Sequence, residues 1–238
     1  MTELLYQYDS YLKEIEADVI RVQGNKIVLN QTIFHPRSGG VDNDTGWIIY
    51  DDVEKLVTNV FIDKETGEVI HELEKEVDIP VGCKVHLRLN WNRRYKLMRL
   101  HTAAHILSAI MYNDYKALIT GGNITEEYGY DDYSLESFEK ELFEQAVKKA
   151  NEIASRGFEV KIYWLPRDEA LKIPGIVKLA SKMPPSIEKL RIVEIPGVDI
   201  QADGGPHVKN TLEIGEIVIL KFENKGKNKK RLYFTVKP

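Results

Sequence analysis

The residues of this chain best suited to chemistry are His101 and His105, in His101-Thr102-Ala103-Ala104-His105, and the distant pair in Asp203-Gly204-Gly205-Pro206-His207. On a helix, positions i and i+4 share one face, so the two imidazoles can converge on a point. A third imidazole and a carboxylate, carried by a glycine-bearing loop, can close a tetrahedral metal site. A lone histidine pair is equally consistent with a half-buried helix face bearing two hydrogen-bonded rings. The second pair shifts that balance, because Asp203 and His207 flank a Gly-Gly-Pro segment where the backbone must turn tightly. Thr102 stands where a zinc-protease helix carries its glutamate base, which disfavours that activity. The chain contains no Gly-x-Ser-x-Gly elbow, phosphate loop or dinucleotide fingerprint. Cys83, the single cysteine, excludes an internal disulfide and reads as an inert, partly apolar residue.

The elements that must position these residues change character near residue 90. Before it, strand-like segments at Tyr11 to Val22, Lys26 to Leu29, Gly46 to Tyr50, Val57 to Ile62, Glu68 to Leu73 and Lys84 to Leu89 are separated by turn residues such as Gly24-Asn25. Short strands at this spacing predict a small barrel over residues 1–90. After it, apolar residues at Leu97, Leu100, Ala104, Leu107 and Met111 predict a helix over 91–112, capped by Asn90 or Asn92 and carrying the histidine pair. Strands are expected within 117–133, a helix from Ser134 to about Ser155, a strand at 158–164, a short helix at 166–172 and a loop over 173–188. Further strands are expected at 190–195, 218–222 and 232–236. The fold class is therefore α+β, a β-barrel domain followed by residues 91–238 with helices on an antiparallel sheet.

Composition narrows the function. With 43% hydrophobic and 29% charged residues, the 238-residue chain reads as an ordinary soluble protein. No apolar run has transmembrane length, and the acidic N-terminal segment is not a secretory signal, so a cytosolic location is expected and no membrane partner. The net charge of −4 argues against sequence-independent coating of nucleic acid. It leaves two local basic clusters, Arg93, Arg94, Lys96 and Arg99 before the histidine pair, and Lys225, Lys227, Lys229, Lys230 and Arg231 near the C-terminus. The latter falls on an expected hairpin turn, where lysines are ordinary. His35 reads as a surface residue, and His71 and His86 as strand residues without a signal.

Three ordered segments carry a family resemblance: Thr32-x-Phe-x-Pro-x-x-Gly39-Gly40 with Asp44-Thr-Gly46, Arg94-x-x-x-x-Arg99-x-His-Thr-Ala-x-His105, and Asp203-Gly-Gly-Pro-His207-Val-x-x-Thr211. Over nearly the whole chain these resemble the editing domain of alanyl-tRNA synthetase and, more closely, its free-standing AlaX-type relatives. The resemblance implies a zinc-dependent hydrolase that deacylates mischarged tRNA(Ala), with serine the expected error and glycine a second. It implies metal ligands at His101, His105, Asp203 and His207, substrate contacts at Thr32, Gly39 and Gly40, and acceptor-stem phosphate contacts at Arg93, Arg94, Lys96 and Arg99. The group that moves the proton is not assigned. Two departures stand out. The family usually has Cys at the Asp203 position, and Gly-Gly-Gly-Gln where this chain has Ser38-Gly39-Gly40-Val41. Aspartate oxygen binds zinc as closely as histidine nitrogen, and it also admits manganese or iron. Alternatively Asp203 stays off the metal and polarises a water. The departures keep two rivals open, a metal-dependent hydrolase of another small ester and a metal-free tRNA-binding module.

Overall fold

The computed structural model describes residues 2–178 and 187–238, so the expected loop over 173–188 lies partly outside the described residues. The chain divides into two compact units, Met1–Leu97 and Met98–Pro238.

In the first unit, β1 (Glu3–Leu4) pairs in parallel with β4 (Gln31–Thr32), a short contact no sequence pattern indicated. The strands β2 (Glu14–Gln23), β3 (Lys26–Leu29), β5 (Gly46–Tyr50), β6 (Val53–Ile62), β7 (Val69–Leu73) and β8 (Lys84–Leu89) close into an antiparallel barrel of order β2-β3-β7-β6-β5-β8. Their alternation explains the closure. In β8, Val85, Leu87 and Leu89 are buried while His86 and Arg88 point outward, His86 to Glu14 on the adjacent β2 and Arg88 across β5 to Glu54 of β6. The β5–β6 hairpin turns on Asp51 and Asp52, both at positive φ, the two-residue turn that matches strand twist. The expected strand at Val57 to Ile62 is longer, because this turn lets pairing continue to Val53.

The helix α1 (Trp91–Tyr115) starts in the first unit and runs on into the second. Asn90 caps it, accepting from the Arg93 amide at 3.3 Å. Its residues 100–111 are all buried, so the expected single apolar stripe is in fact a helix enclosed on every side.

The second unit holds a four-stranded antiparallel sheet from β9 (Ile119–Ile124), β10 (Gly129–Tyr133), β14 (Glu216–Asn224) and β15 (Lys230–Lys237), in the order β14-β15-β10-β9. A second sheet joins β11 (Lys161–Pro166), β12 (Lys189–Ile195) and β13 (Asp199–Ala202). The helix α2 (Lys140–Ala154) lies between β10 and β11 in sequence, and α3 (Arg167–Ala170) between β11 and β12. The apolar face of α2, with Phe143, Ala146, Val147 and Ala150, is buried, and Phe143 stacks on Phe222 of β14. This helix starts at Lys140, not at the expected Ser134. The Ser134 hydroxyl accepts from the Leu118 amide at 2.8 Å and is therefore spent on a loop contact rather than a cap.

Candidate metal centre

Three imidazoles and one carboxylate meet inside the second unit. His101 and His105 come from one face of α1, Asp203 and His207 from the loop after β13. One ligand atom from each lies within 4.8 Å of every other. Two separations are close to a tetrahedral edge, each to a different oxygen of Asp203. His207 Nε2 is 3.3 Å from Asp203 Oδ1, and His101 Nε2 is 3.6 Å from Asp203 Oδ2; metal bonds of about 2.0–2.1 Å set tetrahedral edges near 3.4 Å.

The surroundings fix which nitrogen of each ring carries the proton. His105 Nδ1 sits 3.0 Å from Asp199 Oδ2, and His101 Nδ1 3.3 Å from the Pro206 carbonyl; both partners only accept. His207 Nδ1 lies 3.0 Å from the Thr102 hydroxyl, which itself donates to the Met98 carbonyl at 3.0 Å and so must accept from the ring. Each Nδ1–H is thus committed, and each Nε2 presents a lone pair. Burial, followed by the charges of His101 and His105, holds His207 well below the usual imidazole range. Burial alone would raise Asp203, but positive charge at the surrounding rings, His101 first, holds it well below the usual carboxylate range. Lone pairs facing an ionised carboxylate at these distances need a cation, or added protons, among them. The donor set therefore fits a divalent metal ion, with three nitrogens and one oxygen as zinc accepts.

Local chain chemistry explains the loop. Asp203 Oδ1 accepts from the Gly205 amide at 2.8 Å, an Asx-type turn that aims the carboxylate back at the rings. Gly205 has no room for a side chain, since a Cβ there would lie 2.7 Å from His101 Cε1. Arg191 on β12 clamps the same loop, its Nη1 donating to the Asp203 and Gly205 carbonyls at 2.9 Å each.

Sequence reasoning missed the support behind His105. Asp199, buried on β13, accepts from the His105 Nδ1–H on one oxygen, and its other oxygen lies 2.6 Å from Lys178 Nζ. Burial opposes ionisation of Asp199, yet His105 and Lys178 hold it below the usual range. Gln201 Nε2 donates to Asp199 Oδ2 at 3.0 Å and to Ser108 Oγ at 2.9 Å. Asp199 is 94 residues from His105, so no spacing rule could link them.

The other expected residues are placed as follows. Thr32 is buried in the first unit; its hydroxyl accepts from the Phe34 amide at 3.0 Å and lies 2.8 Å from His71 Nε2. Gly39 and Gly40, both at positive φ, form an exposed two-residue turn closed by the Ser38–Val41 pair, and Val41 is buried. Arg94 corrects the expectation that it faces phosphates. It has no exposed surface, pairs with buried Asp44 and donates to the Ser10 carbonyl at 2.8 Å. Arg99 is half-buried and spends its guanidinium on the Ile214 and Lys237 carbonyls. Arg93 donates to the Asn43 carbonyl at 3.0 Å, and Lys96 is half-buried. His35 is buried rather than on the surface.

Comparison with known proteins agrees with both halves. The family model of tRNA synthetases class II (A) matches residues 7–93, and the threonyl and alanyl tRNA synthetase second additional domain matches residues 190–233. The alanyl-tRNA editing protein AlaX-M of Saccharolobus solfataricus is 52% identical over 238 residues, covering 100% of both chains. AlaX-M of Methanosarcina barkeri is 39% identical over 99% of each chain. An alanine–tRNA ligase of Pyrococcus abyssi is 34% identical over 98% of this chain but 26% of its own length. With these matches spanning its barrel and its histidine–aspartate centre alike, the chain belongs to the AlaX-type alanyl-tRNA editing proteins.

Proposed function

We propose that the protein is a trans-editing hydrolase that removes a wrongly attached amino acid, serine first and glycine second, from tRNA(Ala). The observation that supports it most is the set of three imidazoles with every Nδ1–H committed, gathered with Asp203 so that one ligand atom from each lies within 4.8 Å of the others. His101, His105, Asp203 and His207 would hold the ion, zinc by preference. Bound there, it would supply Lewis acidity to the ester or to its attacking water. The chain's own part is positional. Asp203 stays ionised, the ring tautomers are fixed, and water adds to the ester carbon as the bond to the ribose oxygen breaks, giving free serine and a tRNA with a free 3′ end. An unpaired Cys83 is consistent with a cytosolic setting.

Discrimination falls to Thr32. His71 Nδ1 is 3.3 Å from the Ile27 carbonyl, so that nitrogen carries the proton and Nε2 accepts. Burial keeps His71 neutral, with its pKa lowered to about 4. The Thr32 hydroxyl therefore donates to His71, accepts from Phe34 and retains one lone pair. That lone pair can accept from a serine hydroxyl, and alanine offers no donor. Gly39 and Gly40, without side chains, suit close approach of the acylated adenosine.

The test is deacylation of seryl-tRNA(Ala) and alanyl-tRNA(Ala) by the purified protein, before and after chelation, with metal counted per chain. We expect one metal per chain, cleavage of the seryl ester alone, and loss of activity on chelation. Thr32→Val should slow seryl cleavage by roughly 10- to 100-fold, the worth of one buried hydrogen bond, without raising alanyl cleavage. Equal serine release after the metal has been stripped would sink the reading.

A further inference from the structure

On β15, Lys230, Leu232, Phe234 and Val236 are buried against the core, and Arg231, Tyr233 and Thr235 face the other way. Tyr130 of β10 lies directly across from Tyr233, with ring centroids 5.3 Å apart, and the Tyr128 ring is 5.8 Å from Tyr233. The Arg231 guanidinium lies over the Tyr130 ring at 3.8 Å, and Lys221 Nζ lies over the Tyr233 ring at 4.2 Å. Asp132 takes two further Arg231 donors, at 2.6 and 2.8 Å. The same end of the sheet ends in the turn bearing Lys225, Lys227 and Lys229. Five cations, Lys221, Lys225, Lys227, Lys229 and Arg231, stand against two carboxylates, Asp132 and Glu223, so the patch carries +3 in a chain whose net charge is −4.

We propose that this tyrosine-and-cation face of the β14-β15-β10-β9 sheet is a binding surface for the phosphate backbone of RNA. The choice of RNA rests on the editing reading above. The face itself rests on the concentration of positive charge and on its order. Lysines on a turn are usually loose, but here ring faces and carboxylates hold Lys221 and Arg231 in place, so little side-chain freedom remains to be lost on meeting a phosphate. An acidic peptide would meet the same cations, and the editing reading decides between the two. Excess cations near a polyanion add affinity through counterion release, and that contribution falls with salt.

The probes are an uncharged tRNA(Ala) transcript, read by fluorescence anisotropy over a salt series, and two serine esters, a seryl minihelix and seryl-adenosine, which lacks phosphates. Two variants are compared with the wild-type chain. One is Lys225→Glu with Lys227→Glu and Lys229→Glu on the exposed turn; the other is Tyr130→Ala. The charge variant should raise KM for the minihelix by at least 10-fold with kcat unchanged, leave seryl-adenosine cleavage untouched, and flatten the salt slope of transcript binding by about 2. Tyr130→Ala, which removes the ring beneath the Arg231 guanidinium, should weaken transcript binding about 3- to 10-fold. Unchanged transcript affinity and salt slope in both variants would overturn the surface while leaving the editing reading intact. A wild type that binds the transcript through this face but cleaves neither ester would keep the surface and remove the editing reading.

Discussion

Asp199 carries more of the centre than its distance in sequence suggests. It holds the His105 tautomer, and its charge is balanced by Lys178 in a buried pair. Carboxylates behind metal-binding imidazoles are worth about 10- to 100-fold in metal affinity. Asp199→Asn is expected to weaken zinc binding by that factor in competition with a chromophoric chelator, and excess zinc should restore deacylation. Unchanged zinc affinity would reduce Asp199 to a packing residue. The Asp-for-Cys departure at position 203 belongs to this scale as well. An aspartate makes a two-point contact a thiolate cannot, with one oxygen on the Gly205 amide and the other near His101.

At the scale of elements, the centre depends on one helix face and one loop. The helix was legible in sequence because i, i+4 spacing and the Asn90 cap are local features. The loop was legible only as a place where the chain turns. That Gly205 must lack a side chain is decided by the His101 ring packed against it. Gly205→Ala should therefore leave far-UV circular dichroism unchanged while metal per chain falls well below one. Retention of full metal content would show that the loop relaxes at no cost to the site. Element starts were less legible. Ser134 has the residue type of a cap, yet its hydroxyl is used by Leu118 across the loop, and the helix begins six residues later. The basic segment before the histidines split for a similar reason. Arg94 was drawn into the first unit's core by Asp44, a partner 50 residues away.

At the scale of the whole molecule, two buried groups contribute opposite pH dependences. His71 is neutral in the fold with a pKa of about 4, against 6.5 when exposed. Its contribution is fully present above about pH 6.5 and is lost as pH falls toward 4, because the unfolded chain then binds the extra proton; the span is worth about 3 kcal/mol. Asp131 is the reverse case. Burial raises it to about 7, partly offset by the Tyr133 hydroxyl that donates to it at 3.2 Å. Between pH 3.8 and 7 its folded form holds the proton, so stability falls as pH rises through that window, by about 4 kcal/mol. In thermal unfolding from pH 4 to 8, Asp131→Asn should raise the midpoint at pH 8 and do little at pH 4. His71→Gln, normalised to its own pH 8 value, should flatten the acid limb. Parallel curves for variant and wild type would refute either assignment.

The sequence by itself determined what is set by near neighbours. The alternation of β8 and its partners predicted a barrel, the heptad-like apolar spacing placed the histidine helix, and the three ordered segments pointed to the family that the matches then showed. These follow from strand and helix periods, which are properties of a few consecutive residues. Tertiary structure alone decided that the Asp203 loop returns to the His101 face, that Asp199 and Lys178 stand behind His105, and that His71 orients the Thr32 hydroxyl. The Thr32–His71, His105–Asp199 and His101–Pro206 hydrogen bonds join residues from 39 to 105 positions apart, where the partner is chosen by how buried polar groups are satisfied in three dimensions, and no local pattern encodes that choice.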